Sequence, residues 1–314
     1  MFGIEKPVFL GPMAGCTDYA FRRVCKECGA DIVVTEMVSA KAISFGSRKT
    51  EQLARVRDEE RPCVLQIFGS EPACMEAAAR ELGERYHPEG IDINMGCPAP
   101  KIFSNGDGSA LLADLGKAAD IVRAVRAGTD LPVSVKFRLG IHQGENVAVE
   151  AARRFEDAGA DWLCVHGRYR DQYYSGKADR DSIAAVKQAV DIPVIANGDI
   201  DSLESYIEIL AHTDADGVMI ARGALGNPYL FTQIKAYRER GEILPPQPAA
   251  ERLALATRQM DLCIADKGEG LAMREMRKHF MWYVKGMRGA AALKQKCSHI
   301  STRAEWIKMI EECF

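Results

Sequence analysis

Eight short runs of β-branched and apolar residues, recurring roughly every 20 to 40 residues along the 314-residue chain, constrain its fold more than any other feature. They are VFL (8–10), DIVVTEM (31–37), VLQIF (64–68), IDINM (91–95), VSVKF (133–137), WLCVH (162–166), PVIAN (193–197) and GVMIA (217–221). Helix-like segments fill the gaps, among them 71–86, 117–128, 146–159 and 201–213, with apolar residues at i, i+3 and i+4 and glycine at several ends. Nearly continuous apolar strands alternating with helices predict a parallel sheet covered by helices. Eight units of this kind predict an α/β fold, a closed (β/α)8 TIM barrel, rather than an open doubly wound sheet. An open sheet of that kind carries GxGxxG after its first strand, and here it is absent.

Each strand is followed by unusual residues: GPMAG, TEMVSA, QIFG, NMGCP, KFRLG, HGR, ANGD and ARGA. In a barrel these ends converge on one face, where active sites are built. That convergence predicts an enzyme. A last barrel helix is expected over 227–241, then a proline-rich linker over 242–248 (EILPPQP). The domains read from this are a catalytic barrel over 1–241 and a small all-helical C-terminal domain over 249–314, with strong helical pattern at 250–265, 269–286 and 301–313.

Composition narrows the partners. No apolar run approaches the ~18 residues that span a bilayer, and the N-terminus shows no export signal. Ten cysteines in such a chain predict reduced thiols and a cytoplasmic protein with no membrane partner. The net charge is only −3, yet residues 267–303 hold nine Lys/Arg against two Glu. That local excess predicts contact with nucleic-acid phosphates through Arg274, Arg277, Lys278, Lys285, Arg288, Lys294 and Lys296.

Individual residues then point to chemistry. ANGDI (196–200) and ARGAL (221–225), after the seventh and eighth strands, fit a phosphate cradle: Asn197 supports the loop, Gly198 admits the ligand and Arg222 bonds phosphate. Gln66, Lys136 and His166 interrupt apolar runs at the ends of the third, fifth and sixth strands. Cys25 and Cys28 form a CxxC with no second pair, so no metal is expected. Cys63, Cys74, Cys164, Cys263, Cys297 and Cys313 read as packing residues, and Cys16 as a weaker functional candidate. Cys97 differs, because Gly96 and Pro98 set a turn just past a strand end that aims its thiol into the rim. Spacing leaves nucleophile and proton donor equally open for it.

The ordered set GPMAGCTDYAFR, TEMVSA, DINMGCPAPK, GSALL, VKFRLG, HGRYRDQYYSGKAD, ANGDI, ARGALGNPYLF and REMRKHFMWYVKG resembles the tRNA-dihydrouridine synthases, most closely the bacterial B-type branch. The resemblance runs from Gly11 through the helical tail and implies a flavin enzyme that reduces uridines of tRNA. It implies FMN against Pro12, Met13 and Ala14, with Gln66 and Lys136 on its polar edge. His166, Asn197, Gly198, Asp199, Ala221 and Arg222 would hold the ribityl chain and phosphate. It further implies NADPH or NADH as reductant, Cys97 as proton donor, Asn94 beside the target uracil, and Arg138 and Arg168 near flavin and RNA. The chain departs from the common pattern at Tyr169, Ala221 and Tyr229. A monomer is expected. Against this reading stand a flavin barrel acting on a free small molecule and a non-catalytic RNA-binding protein.

Overall fold

A computed structural model describes residues 3–312. The strands are β1 (Val8–Leu10), β2 (Ile32–Val34), β3 (Val38–Ser39), β4 (Cys63–Phe68), β5 (Gly90–Met95), β6 (Val133–Arg138), β7 (Trp162–His166), β8 (Val194–Asn197) and β9 (Gly217–Ile220). Every pairing is parallel, and β1 pairs with both β2 and β9 while β2 pairs with β4, which closes the ring. The strands other than β3 form the eight-stranded barrel expected, with helices outside it. The second run is the one that differs: its strand stops at Val34, Thr35–Met37 form a loop, and Val38–Ser39 rejoin the sheet edge beside Ile67 and Phe68. Thr35 Oγ1 accepts from Gln66 N at 3.0 Å, so a side chain replaces a backbone partner where the strand ends.

Strand parity explains why the barrel has a working end. Residues i and i+2 share a face. The inward positions begin apolar, with Phe9, Ile32, Val64, Trp162 and Ile195 in one interior cluster and Phe9 and Trp162 ring centroids 5.1 Å apart. Two residues beyond Val64 and Ile195 the same faces carry Gln66 and Asn197, β5 and β6 carry Asp92 then Asn94 and Ser134 then Lys136, and β7 reaches His166. The barrel is therefore sealed below and polar at the C-terminal mouth. The outward positions, such as Leu65, Ile67, Ile91, Ile93, Val133 and Val135, are fully buried under the helices.

Helices Ala249–Lys267, Glu269–Tyr283, Ala290–His299 and Arg303–Glu311 pack around a separate core that includes Met260, Met276, Phe280 and Trp306. Residues 241–248 carry no regular secondary structure. The helices dock on Tyr19–Glu27 and the loop before it. Lys267 Nζ bridges Asp18 at 2.5 Å and Glu275 at 2.6 Å, Arg258 pairs with Glu27 at 2.7 Å, and Arg57 pairs with Asp266. Lys278 Nζ donates to the Gly15 carbonyl. At Gly226, φ is +70° and an added Cβ would lie 2.3 Å from the Trp282 backbone, so the loop after β9 requires glycine to meet the second of these helices. No described helix is long and apolar enough to cross a membrane.

Candidate active site

The C-terminal mouth of the barrel opens into a cavity of about 1480 Å³, walled on one side by Trp282, Lys285 and the 243–247 stretch. It exceeds the ~300–1,000 Å³ of an ordinary ligand pocket, leaving room for a cofactor and a second group together. Pro12, Met13, Ala14, Gln66, Asn94, Cys97, Lys136, Arg138, His166, Asn197, Gly198, Asp199, Ala221 and Arg222 all line it.

Its floor is cationic. Lys136 Nζ donates to Asn197 Oδ1 at 3.1 Å and has no ion-pair partner among the described residues. Burial is the largest influence on its ammonium and, with Arg138, pulls its pKa below the ordinary lysine value, against Cys164 and Asp92. Burial also brings the Arg138 guanidinium down to about 10, which leaves it charged at neutral pH. Arg138 donates to the carbonyls of Gly96, Tyr169 and Tyr173 at 2.9–3.0 Å, tying the loops after β5 and β7 together. His166 is held well below the usual histidine range by burial and then by Lys136, Arg138, Arg168 and Arg222. It is therefore neutral at neutral pH, and Arg168 Nη1 at 3.4 Å from Nε2 fits the tautomer with its hydrogen on Nδ1. Gly198 has φ +133°, and a Cβ there would fall 2.6 Å from Ala178 Cβ, so the cradle loop demands glycine.

Asp199 is one of three acids lining the cavity, with Asp201 and Glu204, and it is occupied. Arg168 Nη2 reaches both of its oxygens at 2.8 Å, Ala178 N donates at 2.7 Å, and Arg222 stands 3.5 Å away. Arg168 also donates to the Ser175 and Gly176 carbonyls and is 1% exposed. It does not line the cavity. The resemblance implied Arg168 near flavin and RNA; the geometry shows it holding Asp199 and the 175–176 loop. Lys136, Arg138, Arg222, Arg252 and Lys285 line the cavity against Asp199, Asp201 and Glu204, and Asp199 is already taken by Arg168, a balance that favours an anionic ligand.

On the opposite rim sits Cys97. Burial is the largest influence on its thiol and raises it above the ordinary value, with the Ala99 backbone, Arg138 and Lys136 acting the other way. The group is a protonated thiol at neutral pH rather than a thiolate. Its turn is held by Cys97 N to Asn94 Oδ1 at 2.9 Å and by Ser109 Oγ to the Cys97 carbonyl at 2.8 Å.

Among the basic residues of the tail, Lys285 lines the cavity and is exposed, and Arg274 and Arg288 are exposed. Arg277 is half-buried and donates to the Ile300 carbonyl at 2.9 Å, Lys278 is used at Gly15, and Lys296 pairs with Glu312 at 2.7 Å. Of the packing cysteines, Cys63, Cys164, Cys263 and Cys297 are buried and Cys74 half-buried, while Cys313 lies outside the described residues. Sequence reading passed over Asp92, Tyr174 and the cavity-facing linker. Asp92 left one signal, an acid inside an apolar strand at the same parity as Asn94. Tyr174 carries the Arg222 guanidinium 4.4 Å from its ring centroid and left none.

Fold and site together define a (β/α)8-barrel enzyme with a cationic floor and a protonated cysteine across from it. The chain belongs to the dihydrouridine synthase family, whose model matches residues 9–314, and is an oxidoreductase acting on a CH–CH bond. It is 40% identical over 95% of its length to tRNA-dihydrouridine synthase B of Pseudomonas aeruginosa, covering 90% of that protein. It is likewise 40% identical over 98% of its length to probable tRNA-dihydrouridine synthase 1 of Synechocystis, covering 86% of that one. Among solved structures, histamine dehydrogenase from a Rhizobium species aligns with 82% of this chain at TM-score 0.55 and 13% identity. The chain spans 49% of that protein, and the likeness is one of fold.

Proposed function

We propose that this chain is an FMN-dependent tRNA-dihydrouridine synthase that reduces the C5=C6 bond of uridines in tRNA, with NADPH or NADH as the source of electrons. The observation that carries the reading is the pairing of an uncompensated Lys136 on the cavity floor with a protonated Cys97 on its rim. The residues fit FMN. Arg222 and the Gly198 loop suit its phosphate, and the Lys136 ammonium would meet the anionic edge of a reduced isoalloxazine. When bound, the flavin supplies hydride to C6 of the uracil.

The protein's share is positioning and proton supply. Lys136 would offset negative charge at the flavin edge, and Asn197 keeps the ammonium in place. Neutral His166 offers an N–H rather than one more full charge, which limits repulsion with Lys136, Arg138 and Arg222. As charge builds toward C5, the Cys97 thiol gives up its proton to that carbon from the rim. A protonated resting thiol is the form this step requires. The target base must leave its stack, at a cost of a few kcal/mol, and phosphate contacts from Lys285, Arg274 and Arg288 offset that cost. In this reading the helical tail is the RNA-binding part and the barrel the catalytic part.

The test is single turnover. Protein purified from a host should be yellow, bleach with NADPH or NADH, and regain colour on adding tRNA from a strain lacking dihydrouridine synthases, with H2 gained at mapped uridines. Comparable reoxidation by free uridine would assign the chain to small-molecule chemistry instead, and a protein that neither carries nor takes up FMN would end the enzymatic reading.

A further inference from the structure

A single chain of hydrogen bonds crosses three strands below the cavity floor and ends at the turn that carries Cys97. Ser134 Oγ donates to Asp92 Oδ1 and Gln66 Nε2 to Asp92 Oδ2, both at 2.6 Å. Asn94 Nδ2 donates to Gln66 Oε1 at 2.9 Å, and the N–H groups of Gly96 and Cys97 donate to Asn94 Oδ1 at 3.2 and 2.9 Å. Asp92 and Gln66 are fully buried and lie opposite each other in the β4–β5 register.

We propose that Asp92 is a positioning residue for Cys97, acting through Gln66 and Asn94 to fix the turn that aims the thiol. Its catalytic meaning rests on the role given to Cys97 above. The argument is one of direction. An ionised carboxylate only accepts hydrogen bonds, whereas each amide has one donor end and one acceptor end. With Asp92 in place, Gln66 must present Nε2 to it and Oε1 to Asn94. Asn94 must then present Nδ2 to Gln66, leaving Oδ1 for the Cys97 turn. One acid therefore orders two amides and two backbone N–H groups.

Remove the carboxylate and Gln66 can turn end for end. Asn94 then follows, and its Nδ2 faces the two backbone N–H groups, donor against donor. The turn keeps its second anchor, Ser109, which donates to the Cys97 carbonyl through Oγ at 2.8 Å and through N at 3.2 Å. The expected lesion is accordingly a loosened thiol, not an unfolded barrel. Burial raises the Asp92 carboxyl to about 6, against the Gln66 and Ser134 hydrogen bonds and Lys136, so it is ionised at neutral pH. Gln66 keeps a second Nε2 hydrogen for the cavity it lines, so the same ordering serves both the cofactor side and the cysteine side.

The alternative is that these groups merely satisfy one another, as buried polar groups do. Coupling separates the two. Alkylation of Cys97 by iodoacetamide, followed peptide by peptide in the flavin-loaded protein, should be about fivefold or more faster in Asp92→Ala, with Cys16 unchanged. Dihydrouridine formed in a single turnover, counted per bound flavin, should fall about tenfold. In an Asn94→Ala background, Asp92→Ala should add less than about twofold to either effect. Asp92→Asn, whose Oδ1 can still accept from Gln66, should fall between, and it carries the same comparison should the alanine variant not fold. Unchanged Cys97 alkylation in a folded Asp92 variant, or effects of Asp92 and Asn94 that multiply independently, would overturn the proposal. Absence of dihydrouridine formation by the wild type would instead count against the proposed function, and the alkylation comparison would stand.

Discussion

Lys136 and Asn197 meet at 3.1 Å on the floor of the barrel mouth, ammonium to amide oxygen, and no carboxylate among the described residues closes an ion pair with that ammonium. A half-buried cation held by a neutral amide is less stable than one held by an acid. It is tolerated where a ligand supplies the missing charge. The register places Lys136 beside Asn94 and Cys164, so its neighbours in the sheet cannot neutralise it.

Lys136→Met should therefore separate folding from binding. The flavin-free protein should melt at an equal or higher temperature than wild type, because a desolvated charge is gone. FMN affinity should weaken about tenfold or more, since the charge-assisted contact to the ligand is lost. Thermal melts of stripped protein and a fluorescence titration with FMN check the two halves. A lower Tm together with unchanged FMN affinity would show that Asn197 alone satisfies the ammonium.

The polar mouth was legible in the sequence because strand parity is rigid. Gln66, Asn94, Lys136, His166 and Asn197 stand at the ends of apolar runs, and a period of two sends them all inward once the strands are parallel and closed. What parity does not give is partnership. The family resemblance implied a place near flavin and RNA for Arg168. Only the fold brings Asp199 across from the neighbouring loop to occupy it. The stop of β2 at Val34 was hidden for a related reason: IVVTEM is apolar enough to continue, and Thr35 ends it by a side-chain hydrogen bond across to β4. The basic tail shows the same limit, because Arg277 is indistinguishable from Arg274 in sequence until the Ile300 carbonyl is placed beside it.

Cys97→Ser should keep FMN content and reduction by NADPH near wild type while dihydrouridine formation falls by about 10² or more, as befits loss of a general acid. Serine keeps the shape of the turn, including the backbone bonds to Asn94 and Ser109, but its hydroxyl is a far weaker acid. Stopped-flow reoxidation of the reduced flavin by tRNA is the measurement. Reoxidation at the wild-type rate would remove Cys97 from the protonation step.

The tail residues should divide by their existing partners. Lys285→Ala and Arg274→Ala, at exposed positions, should each lower the slope of log affinity for tRNA against log salt by about one, with little change in Tm. Arg277→Ala should instead cost about 1–2 kcal/mol of stability, because it removes the donor to the buried end of the 290–299 helix. Filter binding at several salt concentrations and thermal melts separate the two behaviours. A full unit of slope lost with Arg277→Ala at unchanged Tm would reverse the assignment.

Asp92 gives the protein a stability term with a defined pH sign. Burial raises its folded-state value from 3.8 to about 6, while Lys136 and the Gln66 and Ser134 donors act the other way. Cys164, the other titratable group facing it, is pushed up to about 12 by burial and stays neutral throughout. A carboxyl that is harder to ionise when folded holds its proton between pH 4 and 6 in the native state but not in the unfolded chain. Its contribution thus favours folding fully below the unfolded value and is lost as pH rises through the folded one. Asp92→Asn removes this dependence. Relative to the variant, wild type should gain about 2 kcal/mol on going from pH 7 to pH 4, most of the full effect of a shift of about two units at about 1.36 kcal/mol each. Urea unfolding of both proteins across that range checks it. Parallel curves for the two would show that Asp92 keeps an ordinary carboxylate value in the fold, through stronger donation from Gln66 and Ser134 than burial can offset.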